Sequence, residues 1–236
     1  IDGTVEGTLN NMIVHPKIYS GIGLISGKSI RIDDILMEDD PIRMSGEIRT
    51  YNLDAGKIIG NDILGPTTLS LNAEAEFGDS SINAKINSLQ IDKLHLYGYD
   101  YTGITGEAVI SEDFIDGRLT CEDPNLSFMT QGRYGITREN NDTEYDFVLA
   151  VGDADLNKIN IDKRGKSKAQ FMLTADFTKT PANDILGDIS IDNLRLENSQ
   201  GAYNIGKIAM NSINRANSTY KMDLKSSFAE GSYIGT

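Results

Sequence analysis

The chain has no tryptophan, one cysteine, two histidines and five prolines in 236 residues. A lone thiol, Cys121, excludes an intrachain disulfide and any cysteine-held metal cluster. It falls on an alternating face in Leu119-Thr-Cys121, which predicts a buried structural side chain. The histidines, His15 and His95, stand far apart without ligand spacing, so no metal site is expected. His95 alternates with Leu94 and Leu96 and should point outward into solvent. No apolar run approaches the roughly eighteen residues of a transmembrane helix.

Positive charge is also scarce. Lysine and arginine number 22 against 35 acidic residues, a net charge of −13. That argues against nucleic acid, which is bound through basic contacts to phosphate, and against electrostatic docking on anionic lipid. Catalytic signatures are missing. There is no Gly-x-Ser-x-Gly, and Gly21-Ile-Gly23-Leu-Ile-Ser26-Gly27 lacks the helix and Lys-Ser/Thr of a phosphate loop. The acidic groups Glu38-Asp39-Asp40 and Glu122-Asp123 lie beside prolines, where solvated turns are expected, and no EF-hand pattern occurs. Nothing singles out any two carboxylates as a hydrolytic pair. The chain is therefore read as a non-enzyme with no cofactor and no metal. Asn141-Asp-Thr143 and Asn217-Ser-Thr219 match the N-glycosylation pattern, which recurs by chance. Ile1-Asp-Gly-Thr4 carries neither a basic leader nor an initiator methionine, so a piece cut from a longer protein is expected.

What is present is β pattern almost throughout. In 69–77, Leu69, Leu71, Ala73, Ala75 and Phe77 alternate with polar residues. Segments 42–49 (Ile42, Met44, Gly46, Ile48) and 220–228 (Tyr220, Met222, Leu224, Ser226, Phe228) do the same. Such strands have one dry and one wet face, as in antiparallel sheets. The best helical stretch is short, around Asp54–Ile59.

Three segments share a motif: Ile30-Arg-Ile32-Asp33-Asp-Ile35-Leu-Met37, Leu89-Gln-Ile91-Asp92-Lys-Leu94-His-Leu96 and Ile189-Ser-Ile191-Asp192-Asn-Leu194-Arg-Leu196. Apolar residues at positions 1, 3, 6 and 8 break the strand period once, beside the aspartate. One extra residue, a β-bulge, returns all four to one face and bends the strand. The residues after the second and third copies mirror this spacing. Leu96, Leu94, Ile91 and Leu89 should face Tyr99, Tyr101, Ile104 and Gly106 across a Tyr97-Gly98 turn. Leu196, Leu194, Ile191 and Ile189 should face Tyr203, Ile205, Ile208 and Met210. A competing reading makes the Asp-x pairs themselves hairpin turns, although they lack glycine. The first copy has no such downstream mirror. Tyr99 and Tyr101 should pack on the inner face with Tyr97 in the turn, rather than form a carbohydrate-stacking site.

The second and third copies also belong to a repeat with a 100-residue offset, which aligns Leu69–Phe77 with Ala169–Phe177. Repeats thus lie near 30–50, 69–110 and 169–210, within one elongated β-repeat region over 1–236. The expected fold is all-β: an elongated, strongly curved antiparallel sheet of stacked hairpins, U-shaped with an apolar interior.

Several phrases carry a resemblance. They are Leu94-His-Leu-Tyr-Gly-Tyr-Asp-Tyr101, Gly106 through Gly117-Arg-Leu119, Cys121-Glu-Asp-Pro-Asn-Leu126, Ala154-Asp-Leu-Asn-Lys-Ile-Asn-Ile161, Leu186-Gly-Asp-Ile-Ser-Ile-Asp-Asn-Leu194 and Ser226-Ser-Phe-Ala-Glu-Gly-Ser-Tyr233. Together they resemble the β-repeat region of the TamB family of translocation and assembly module proteins, in its Bacteroidetes form. They cover most of 80–236, and residues 1–50 match more weakly. The resemblance implies an AsmA-like, bridge-type lipid transfer protein of the periplasm, anchored in the inner membrane, with a "β-taco" groove. It implies a part in moving phospholipid to the outer membrane and in outer-membrane protein assembly and secretion. Neighbouring β-repeats of the full-length protein would continue the sheet at its edges, and an outer-membrane barrel partner would be engaged by regions outside this chain. The expected lining of the groove, meeting phospholipid acyl chains, is Leu69, Leu71, Phe77, Leu89, Ile91, Leu94, Leu96, Phe171, Leu173, Phe177, Ile189, Ile191, Leu194, Leu196, Ile205 and Ile208. The alternative is a structural or adhesive β-module that binds protein or glycan at the cell envelope.

Overall fold

The computed structural model describes residues 1–37, 40–78, 81–215, 219–226 and 228–235. Its strands are β1 (Asp2–Thr8), β2 (Asn11–Ser20), β3 (Gly23–Asp33), β4 (Ile42–Asp54), β5 (Leu64–Phe77), β6 (Ile82–Leu96), β7 (Tyr99–Tyr101) and β8 (Ile104–Ile110). They continue as β9 (Phe114–Asp123), β10 (Leu126–Gly135), β11 (Thr143–Asp155), β12 (Ser167–Lys179), β13 (Ile185–Asn198), β14 (Gly201–Arg215), β15 (Thr219–Ser226) and β16 (Glu230–Gly235). One short helix occurs among the described residues, α1 (Ala55–Ile59), after β4. All sixteen strands belong to one antiparallel sheet in chain order that does not close, with β7 paired to β6 as a side branch. The fold is all-β, as the alternation requires.

The chain divides into two units. The first holds Ile1–Glu112 and Leu119–Asp123; the second holds Asp113–Arg118 and Pro124–Thr236.

In the first unit, registered pairs align apolar residues across many strands. One row runs Gly7, Met12, Ile32, Met44, Ala75, Ala84, Ile110. Others run Ile48, Leu71, Leu89, Gly106 and Thr50, Leu69, Ile91, Ile104. Directly opposed residues share a face and pack side by side. The second unit repeats the arrangement with Thr130, Leu149, Leu173, Ile191, Ile208 and with Tyr134, Tyr145, Phe177, Gly187. Tyr145 stacks on Phe177 at 4.8 Å, and Tyr134 on Phe147 at 4.5 Å.

The second motif copy behaves as expected. Leu96, Leu94, Ile91 and Leu89 pair with Tyr99, Tyr101, Ile104 and Gly106. Tyr97 (φ 53°) and Gly98 (φ 74°) are both left-handed, the geometry of a two-residue hairpin turn. Asp92 is the extra residue: Lys93 faces Thr68 and Ile91 faces Leu69. A second insertion that the motif did not announce is Asn87, between Ser88 opposite Asn72 and Ile86 opposite Ala73. Its amide donates to Asn72 and Glu74.

The third copy pairs Leu196 with Tyr203, Ile191 with Ile208 and Ile189 with Met210. Leu194, however, faces Gly206 rather than Ile205, because the two strands break one step apart. Here Asn193 takes the left-handed backbone (φ 55°).

The first copy is corrected. β3 ends at Asp33, Asp34 is left-handed (φ 66°), and Ile35 and Met37 stand exposed in the connection to β4. Asp33-Asp34 is not itself the hairpin turn either, since Asp33 still pairs with Arg43 and the turn falls at Ile35-Leu36. The break in β3 lies earlier, at Ser29 (φ 52°), whose N–H donates to His15 Nδ1 at 3.1 Å. A second correction concerns Phe228: β15 ends at Ser226, whose hydroxyl accepts from the N–H of Phe228 and Ala229 in a turn, leaving Phe228 exposed. The side chains of Tyr220, Met222 and Leu224, and the residues Glu38, Asp39, Asn217 and Ser218, lie outside the described residues.

The 100-residue repeat is carried by pattern and not by pairing. Leu71 faces Leu89, whereas Phe171 lies opposite the break between Asp192 and Arg195. Leu173 faces Ile191, whereas Ala73 faces Ile86.

Gly132 (φ 136°) sits opposite Phe147, and a Cβ there would fall 2.2 Å from the Asp146 carbonyl oxygen. Gly132→Ala is expected to destabilise the protein by about 1–3 kcal/mol in urea denaturation. Gly21→Ala, with nothing within 4 Å of its Cβ, should stay within about 0.5 kcal/mol of the parent.

Candidate functional site: an apolar face half open to solvent

The sixteen residues expected to line a groove lie on β5, β6, β12, β13 and β14. In the first unit, Leu69, Leu71 and Phe77 share one face of β5. Pairing carries that face onto Ile91, Leu89 and Ile82 of β6. Leu94 and Leu96 keep to it because Asp92 absorbs the period break and Leu94 pairs Tyr101. In the second unit, Phe171, Leu173 and Phe177 face Val151, Leu149 and Tyr145, and Ile189, Ile191 and Ile208 continue the rows. Leu194 and Ile205 sit at the staggered break and leave the registered rows.

None of the sixteen is buried; Phe77 and Leu196 are each 37 % exposed and the others intermediate. The described apolar core is small, comprising Ile30, Tyr101, Ile104, Cys121, Val151, Ile159 and three alanines. The accessible surface is 14,673 Å² for 25.8 kDa. Two separate globules of half that mass would together expose about 12,600 Å². The larger value accords with the apolar side chains left half exposed in each unit.

The alternate residues of these strands are mostly polar. A depression of about 740 Å³ is lined by Arg31, Arg43, Lys85, Asp33, Glu74 and Glu76, together with Met44, Ala75, Ala84 and Ile110 of the first apolar row. Arg31 pairs with Asp33 at 2.7 Å, and Arg43 pairs with Asp34. The Asp34 contact raises the Arg43 guanidinium above its ordinary value. A second depression of about 440 Å³ includes Arg49, Ser70 and Gln90. A third, about 430 Å³, lies in the second unit around Arg133, Glu144, Asp146 and Asp176. Of the expected lining residues, Leu69 touches the second depression and Phe177 the third. No group of three or more His, Cys, Asp or Glu able to hold a metal occurs among the described residues.

Asp123 corrects the expectation of a solvated acidic turn. It ends β9 and is only 6 % exposed. Its carboxylate accepts from the Tyr99 hydroxyl at 2.7 Å, from the Thr102 N–H at 3.0 Å and from the Thr102 hydroxyl at 3.1 Å. It thereby satisfies the backbone where β7 and β8 break, at Thr102 and Gly103 (φ 64°). Tyr99 and Tyr101 meet edge to face at 4.8 Å, with Tyr101 buried and Tyr97 exposed in the turn, so the tyrosines pack as expected. His95 is partly exposed and its Nδ1 lies 2.6 Å from Asp100, which also pairs with Lys93 at 2.9 Å. Its ring covers Gly65, where a Cβ would come within 2.6 Å of it.

Cys121 is 1 % exposed, as the alternation predicted, and burial raises its thiol above the ordinary range. It should resist a thiol reagent in the native protein and react fully after denaturation. Native reactivity equal to that of a free thiol would contradict the burial.

The aspartate cradle was missed because an acidic residue beside a proline reads as exposed. The usable signal was alternation: Cys121 and Asp123 share a face, and Cys121 points inward. Comparison with protein families, with curated proteins and with solved structures finds no match to this chain.

Proposed function

We propose that this chain is a section of an apolar conduit for phospholipid acyl chains, a TamB-like and AsmA-like part of a periplasmic bridge serving the outer membrane. On this reading the sheet curves around its apolar face as a U-shaped groove. Acyl chains lie along the registered rows, and headgroups stay at the open mouth. No covalent chemistry is involved. Each methylene kept from water contributes about 0.8 kcal/mol, so an unbroken apolar lane lets a lipid advance without re-entering solvent. The observation that carries the reading is a broad apolar face, in register across four to seven strands and left half exposed. A soluble domain covers such a face or uses it. Neighbouring β-repeats of a longer protein would extend the lane.

The purified chain should carry phospholipid, detected by mass spectrometry after extraction with organic solvent. Lipid-free protein that also fails to take up a fluorescent fatty acid would refute the conduit. A second reading, an adhesive module for protein or glycan, is favoured by the 740 Å³ depression with its mixed charges. It predicts binding that survives charges on the apolar face and is lost with Arg31→Ala and Lys85→Ala.

A further inference from the structure

The connection Asp54–Ile63 has a counterpart in the second unit. Asp54 Oδ1 accepts from the Lys57 N–H at 3.2 Å and its other oxygen holds Lys57 Nζ at 2.9 Å. Asp155 does the same for Lys158, at 3.2 Å and 3.5 Å. Each lysine is followed by isoleucine, and each turn ends on a left-handed residue, Gly60 (φ 69°) or Asn160 (φ 62°). The two turns therefore match in sequence and in hydrogen bonding.

They differ in what covers the isoleucine. In the second unit the chain folds back, with the N–H groups of Ile161 and Asp162 donating to Leu156, and Ile159 is fully buried. In the first unit the chain also turns back, with the N–H groups of Gly60 and Asn61 donating to Gly56, but the isoleucines stay uncovered. Ile58 is 55 % exposed, Ile59 65 % and Ile63 44 %. The neighbouring hairpin adds Tyr97, 58 % exposed, whose N–H donates to the Ile63 carbonyl.

This apolar tip is held rigidly. Asp54 caps the helix, and Gly56 packs so closely that a Cβ would fall 1.8 Å from the Leu64 oxygen. The four residues together expose on the order of 450 Å², short of the roughly 800 Å² per partner of a stable protein interface. A lipid interface sets no such minimum, because each inserted side chain contributes alone. Tyrosine beside aliphatic residues also suits the boundary between headgroups and acyl chains.

From these observations we infer that the α1 tip, Ile58, Ile59, Ile63 and Tyr97, inserts into the interfacial layer of a lipid bilayer. The inference goes beyond the conduit reading and does not depend on it. The lysines beside the tip are held by Asp54 and Asp100, and the chain carries a net charge of −13. Insertion is thus apolar in origin, stronger on neutral phosphatidylcholine than on anionic vesicles. Its strength lies below that of a single myristoyl chain, about 10⁴ M⁻¹.

The absence of tryptophan supplies the test. Ile59→Trp introduces a unique fluorophore at an exposed position. With phosphatidylcholine vesicles its emission should shift to the blue and be quenched by brominated lipid. Ile58→Ser with Ile59→Ser should reduce vesicle co-sedimentation by about tenfold or more, with an unchanged circular dichroism spectrum. Leu71→Glu with Ile191→Glu should leave vesicle binding intact, which separates the tip from the conduit. An Ile59→Trp emission unmoved by vesicles overturns the inference. So does a blue shift that needs only raised protein concentration, since the patch would then join two copies. Loss of vesicle binding in the Leu71→Glu, Ile191→Glu protein overturns it as well.

Discussion

Glutamate at Leu71 and Ile191 together is expected to lower affinity for a fluorescent fatty acid by about a hundredfold, a loss of roughly 2.7 kcal/mol. Leu71 lies between Ile48 and Leu89 in its row, and Ile191 between Leu173 and Ile208. Each has apolar neighbours on both sides in its row, so a carboxylate there would meet an acyl chain lying along that row. Placing hydrocarbon over an ionised group strips its water, at a cost of several kcal/mol unless the chain stays away. The same half exposure that makes these residues candidates lets the substituted protein fold, because the new carboxylates keep solvent contact when no lipid is bound. Two comparisons separate loss of the lane from general damage. Leu71→Met and Ile191→Leu keep apolar volume and should bind as the parent does. Ser70→Glu, next in sequence but on the polar face, should have no effect. Parent-like affinity in the doubly charged protein would show that fatty acid binds elsewhere, and the conduit would be abandoned.

Most of the strand order was legible because a sheet of consecutive antiparallel hairpins asks little of long-range information. Alternation placed the strands, and the mirror spacing about Tyr97-Gly98 set a register that the pairing obeys residue for residue. The limit appears where the same local pattern has two structural outcomes. Ile30–Met37 carries the motif, yet Asp33-Asp34 ends the strand, whereas Asp92 is absorbed within one. The difference lies in the residues downstream of each copy. Tyr99–Gly106 offers a partner strand with a matching break, while Met37 leads into acidic residues and Pro41. A bulge is stable only where its neighbour accommodates it, so the motif alone does not determine the result. The stagger at Leu194 has a similar origin. Ile205 and Gly206 offer two places for the extra residue, and glycine, free to take φ 83°, faces Leu194. The apolar residues of the candidate lane were legible as a face. Their half exposure was not, because alternation reports which side a residue takes and is silent on whether a second layer covers it.

The buried carboxylate of Asp123 leads to the largest expected effect on stability. Asp123→Ala removes three accepted hydrogen bonds at once and leaves the Tyr99 hydroxyl, the Thr102 N–H and the Thr102 hydroxyl without their acceptor. A hydrogen bond to a charged group contributes about 1.5–3 kcal/mol, and an orphaned buried donor is costly in its own right. Non-additivity within one cluster brings the expected total to roughly 3–5 kcal/mol. Asp123→Asn keeps one carbonyl acceptor and the shape of the side chain, so its loss should be smaller, about half. The damage should be local at first. The Thr102 N–H lies where β7 gives way to β8, at the height where Ile91 and Ile104 resume pairing after Leu94 and Tyr101. Hydrogen exchange at Tyr101–Ile104 should therefore accelerate in Asp123→Ala before global unfolding, while amides of β11 and β12 keep their protection. A thermal midpoint within a degree of the parent, with exchange at Thr102 unchanged, would show that the carboxylate is dispensable and that the strand break is held by backbone pairing alone.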